Sequence, residues 1–153
     1  MDSLLSRSKG HWEGTKKLWL APGKSKCECS ITANVTDSVL GRSAVIAYSW
    51  LLEGVRQEGH LLLTTDFGKG AVQAAWVDSF HKSTGIMILK GEFTANNTID
   101  LMGHYSDSKG PDSGCRMIIR EPDDRTLDLI VYNVIPTGKE QLAIEVRLSK
   151  VND

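Results

Sequence analysis

The 153-residue chain holds few side chains of the kinds that do chemistry, and none stands in a familiar catalytic spacing. Trp76 and Asp78 are the most suggestive pair. On a strand they share one face. An aromatic wall beside a carboxylate suits a pocket that orients the polar group of a small ligand. The plainer reading, which is preferred, keeps Trp76 in the core. Asp78 then accepts from the backbone N–H of Phe80 or His81 in the following turn. Tyr132, Glu145 and His104 would form an acid–base cluster if all three point inward. An inward Glu145 needs a partner, with Arg116, Arg120 and Arg147 the candidates. An outward Glu145 makes an exterior ion pair worth less than ~1 kcal/mol. The four histidines, His11, His60, His81 and His104, are scattered. A haem ligand would be a histidine at a cavity mouth, and His81, in a loop, is the most exposed of the four. A lone histidine is more often a surface residue, so no cofactor is expected.

Nucleophile and phosphate motifs are missing from the sequence. It contains no Gly-x-Ser-x-Gly elbow and no His-Glu-x-x-His pair. Gly68-Lys69-Gly70 is a turn by composition, and strand-like sequence follows it. Cys27, Cys29 and Cys115 make an odd count. The start of the chain shows no basic stretch leading into an apolar one. Together these lead to the expectation of reduced thiols and a cytoplasmic location. Cys27-Glu28-Cys29 has no second Cys/His pair at ligand spacing, so no metal site is expected.

Eighteen Lys and Arg stand against nineteen Asp and Glu, a net charge of −1. That balance supplies no drive toward nucleic acid. No apolar run approaches the ~20 residues of a membrane span. Hydrophobic residues at 41% and charged ones at 24% fit one globular domain over residues 1–153.

The candidate residues must be positioned by strands. Cys27, Cys29, Ile31, Ala33 and Val35 alternate with polar neighbours, and Leu142, Ile144, Val146 and Leu148 alternate with Ala143, Glu145, Arg147 and Ser149. Extended along the chain, this alternation predicts about ten strands, over residues 11–20, 26–36, 44–53, 56–65, 71–78, 85–94, 98–106, 115–121, 126–134 and 141–150. Ala95-Asn96-Asn97, Pro122-Asp123-Asp124 and Pro136-Thr137-Gly138 read as turns. A short helix within residues 2–9, capped by Asp2 or Ser3, and a second turn near Phe80-His81-Lys82 are the only other elements expected. Short, evenly spaced strands with tight connections imply an all-β antiparallel meander. Closure into an up-and-down barrel removes its two edges, and is preferred to a two-sheet sandwich.

Gly10-His11-Trp12, followed by Glu13-Gly14-Thr15, resembles the Gly-x-Trp start of the calycin barrels, the lipocalins and fatty-acid-binding proteins. Glu58-Gly59-His60, Asp66, Trp76-Val77-Asp78-Ser79-Phe80, Gly138-Lys139-Glu140 and Glu145-Val146-Arg147-Leu148-Ser149-Lys150 extend the likeness from about Leu5 to Lys150. In order and spacing they resemble a bacterial calycin-like family without an assigned activity, domain of unknown function fifteen seventy-nine. Leu61, Thr64, Thr65, Leu148 and Lys150 depart from its pattern and point to a divergent branch. The resemblance implies a barrel with a possible interior cavity. It also implies that Trp12 closes one barrel end under a basic side chain from the last strand. Arg147 and Lys150 face opposite ways, so one of them serves. Family position favours Lys150 and guanidinium stacking favours Arg147, with the preference to Arg147.

The expected function is therefore binding of a small, mostly apolar molecule inside the barrel. The cavity candidates are Tyr48, Trp50, His60, Trp76, Asp78, Met87, His104, Tyr132 and Glu145. The alternatives are an enzyme acting on such a ligand, or a homodimer pairing through outward apolar residues such as Val45, Ala47 and Leu51.

Overall fold

Over His60–Asp66 exposed and buried residues alternate one by one, with Leu61, Leu63 and Thr65 inside and Leu62 outside. The computed structural model describes residues 5–19, 26–66, 68–80, 82–94, 97–104 and 114–151. Ten strands run along it: β1 (Gly10–Trp19), β2 (Lys26–Ser38), β3 (Ser43–Leu52), β4 (Val55–Asp66), β5 (Ala71–Asp78), β6 (Lys82–Thr94), β7 (Thr98–His104), β8 (Gly114–Asp123), β9 (Thr126–Val134) and β10 (Glu140–Lys150). β5 and β9 have the limits expected from sequence, while β6 begins at Lys82 rather than at 85.

Each strand pairs antiparallel with the next, and β1 pairs with β10, so the sheet closes into an up-and-down barrel. Closure leaves no row of unpaired backbone groups to recruit another chain. The seam runs from Trp12 opposite Lys150 to Leu18 opposite Ile144. Gly14 sits within it. A Cβ there would overlap the backbone carbonyl of Arg147, so only glycine lets the two strands approach this closely.

The interior is the core. Trp12, Trp50, Leu63, Leu89, Ile119 and Leu127 are among its most deeply buried side chains. One end is plugged by the N-terminal segment. Of the segment expected to hold a short helix, the described part carries a 3-10 turn, Ser6–Ser8. Its entry residue Leu5 is left-handed and carries no side-chain cap, and Asp2 and Ser3 lie outside the described residues. The Trp12 indole donates to the Ser8 carbonyl at 2.8 Å, and the Ser8 hydroxyl donates to the Glu121 carboxylate at 2.6 Å. The turn near residue 80 covers Ser79 and Phe80, and His81 lies outside the described residues.

The preference for Arg147 over Trp12 is corrected. Arg147 points outward and grips Asp128 on β9 through two bonds of 2.9 Å. Lys150 stands opposite Trp12, with its ammonium 5.9 Å from the ring and also donating to the Arg7 carbonyl. Asp128 is almost fully buried and Arg147 is exposed. The carboxylate needs the fork of a guanidinium, and that holds Arg147 on the outside.

Candidate functional site

Period two along β1 turns Trp12, Gly14, Lys16 and Leu18 inward. Lys16 thereby places a long cationic side chain inside the barrel, where it is only 2% exposed. Its ammonium lies 3.5 Å from the centroid of the Trp50 ring. Such a contact is worth ~2 kcal/mol or more once water is excluded. Phe80, from the β5–β6 turn, meets the Trp50 ring edge-on at 5.5 Å between centroids. Burial pulls the Lys16 ammonium down to about 8, against the opposing pull of the Asp78 carboxylate and a smaller one from Cys29.

Tyr48 on β3 points into the same space. It faces Gly59 on β4, and Gly59 in turn faces Asp78 on β5. With no side chain at residue 59, the phenol crosses β4 and donates to Asp78 Oδ2. Trp76 Nε1 donates to the same phenol oxygen at 2.8 Å, and the Phe80 N–H donates to Asp78 Oδ1 at 2.7 Å. Burial, and then the charge of Asp78, push the Tyr48 phenol well above its usual value, so it keeps its proton. Asp78 therefore holds the turn, as the plainer reading expects, and its carboxylate also takes the Tyr48 phenol.

Against this cluster lies a cavity of about 40 Å³. Lys16, Tyr48 and Trp76 are the lining residues with a nitrogen or oxygen in the side chain. The rest of the wall is aliphatic side chains and Met117. That volume admits roughly three waters, or one molecule of a few non-hydrogen atoms. It falls short of the ~300 Å³ of ordinary drug-sized pockets.

Of the cavity candidates, Tyr48 and Trp76 line this space. Trp50 and Asp78 adjoin it through Lys16 and Tyr48, and Met87 is buried in the interior. The others are corrected. His60 and His104 are exposed on the outer face. Glu145 also points outward, with its carboxylate 3.9 Å from the Lys17 ammonium. Tyr132 is half-buried and shares the outward side of β9 with Asp128 and Ile130, while Leu129 and Val131 line the cavity. The acid–base cluster of Tyr132, Glu145 and His104 is therefore not assembled on the inside. Lys16 was missed in the sequence. Counting in twos from Trp12 would have found it.

A protein-family profile matches residues 1–150. The chain belongs to the DUF1579 family, described as proteins of unknown function. No curated protein matches it. In this DUF1579 barrel the Trp-Val-Asp-Ser-Phe block surrounds the site. It supplies the Trp76 indole, the Asp78 carboxylate and the Phe80 ring, and its Ser79 hydroxyl accepts from the Glu58 N–H.

Proposed function

We propose that this DUF1579 protein is a small-molecule-binding barrel. Its ligand is compact and mostly apolar, with one polar atom directed at Lys16. The observation that carries this reading is a buried ammonium on the wall of an otherwise largely apolar cavity. A chain selected for packing alone would place an aliphatic residue there, because burying a charge is expensive. The cavity is much smaller than a lipid chain, so the ligand is a molecule of a few non-hydrogen atoms.

Titration with straight-chain primary alcohols, followed through the indole N–H signals of Trp50 and Trp76 by NMR, tests this. Saturable shifts are expected, strongest near propanol and weaker for hexanol. Shifts that are linear in every alcohol, or absent, would contradict it.

A second reading, self-association, draws on the outer face. Val45, Leu62, Ala75 and Ile88 stand side by side across β3 to β6 in direct register, with Leu62 and Ile88 exposed. Four uncharged residues in a row put no like-charge repulsion between two copies. Sedimentation at micromolar concentration would show a dimer that Ile88→Lys returns to monomer. A wild-type monomer excludes it.

A further inference from the structure

We propose that Lys16 captures a small aldehyde as an imine inside the barrel. The proposal rests on the ligand-binding reading and adds to it a covalent chemistry and a substrate class.

Among the described residues, Lys16 is the lysine buried inside the barrel. Lys9, Lys17 and Lys26 have side chains 50%, 38% and 43% exposed, whereas Lys16 is buried against the Trp50 ring and lines the cavity. A carbonyl compound that enters the cavity meets the Lys16 amine on its wall. The aliphatic wall suits a short alkyl group, and the volume suits a three-carbon chain.

The reacting form is the free amine. With the ammonium drawn to about 8, roughly one tenth is free amine at pH 7, against less than roughly one in a thousand for an ordinary lysine. The groups around Lys16 include the Trp50 ring from β3, the charges of Asp78 from β5 and Cys29 from β2, and Tyr48 from β3 on the same cavity wall. Burial raises the Cys29 thiol above its usual value, which keeps it protonated and a poor competitor. Asp78 supplies the negative charge that a protonated imine requires.

The step balances without an oxidant or reductant. The amine lone pair attacks the carbonyl carbon and forms the N–C bond, and one amine proton passes to the carbonyl oxygen. The C–O bond of this carbinolamine then breaks as the C=N bond forms. The oxygen leaves as water with both amine hydrogens, and the neutral imine takes a proton from solvent to become the protonated form that Asp78 balances. A chamber with room for only a few waters slows the reverse hydrolysis.

Full-length protein incubated with propanal and sodium cyanoborohydride near neutral pH, then digested and mapped by mass spectrometry, tests this. A single propyl group on Lys16 is expected, formed at least about tenfold faster than on any other lysine. Its rate should rise with an apparent pKa near 8, and Lys16→Met should lose this product alone. Propylation spread over the exposed lysines with Lys16 unmodified would overturn the proposal. If 1-propanol still shifts the Trp76 indole in that case, the binding reading survives without the covalent step. If it does not, both fall.

Discussion

The phenol of Tyr48 occupies the space that a side chain at Gly59 would fill. A Cβ at residue 59 would overlap Oη and Cζ of Tyr48. One missing side chain on β4 therefore allows β3 and β5 to join through the Tyr48–Asp78 bond. Gly59→Ala is expected to push the phenol off Asp78 and cost about 2–4 kcal/mol, from overpacking together with a lost buried hydrogen bond. Chemical denaturation measures this. In a Tyr48→Phe background, which has already lost the Asp78 bond and the oxygen but keeps the ring carbons in the way, the same substitution should cost less while still destabilising.

Lys16 gives stability a distinctive pH dependence. Its ammonium is near 8 in the folded chain and near the ordinary 10.5 when unfolded. Between those values the unfolded state binds more protons, so this group's contribution to stability rises with pH. Below pH 8 it exacts its full cost, and above about 10.5 none. The relief amounts to about 3 kcal/mol. Cys115, pushed up to about 12 by burial, and Tyr48, also raised, act in the opposite sense at alkaline pH. The informative quantity is thus wild type minus Lys16→Met, measured by denaturation at pH 7.5 and 10. Wild type should gain on the variant as pH rises. A constant difference would place the ammonium in water.

Asp78 acts on both of its titratable neighbours. It raises Lys16 against the effect of burial, and it raises Tyr48. Asp78→Asn should therefore lower both values, read from the Lys16 Nζ NMR signal and from tyrosinate absorbance. Movement of Tyr48 alone would show that Asp78 and Lys16 do not share a field.

At the closed end, the two basic residues of β10 should separate cleanly. Lys150→Met removes a cation held 5.9 Å from the Trp12 ring and should cost ~0.5–1 kcal/mol. Arg147→Met strands the buried Asp128 carboxylate and should destabilise more. Thermal unfolding of the two variants gives the order. The reverse order would show that the Asp128 carboxylate is not stranded when Arg147 is removed.

Strands such as β2, and β10 from Ile144 onward, were legible because their polar and apolar residues alternate. Closure followed from their number and short connections. The site was less legible, for physical reasons that differ by residue. Leu127 to Tyr132 is apolar on both faces except at Asp128, so its sequence does not reveal which way Tyr132 points. Glu145 was misjudged because apolar neighbours suggested burial. In a strand, inward neighbours at Ile144 and Val146 turn the residue between them outward. Lys16 broke an apolar row. A charged residue at an inward position looks like a fault in the pattern until the other walls supply Trp50 and Asp78.

Xenon pressurisation of crystals measures most directly whether the barrel interior admits a guest. One ordered xenon atom is expected in the 40 Å³ cavity, between Met117, Leu61 and Val146 and beneath the Lys16–Trp50 stack. Diffraction data with xenon elsewhere and none in this chamber would contradict a ligand-binding interior.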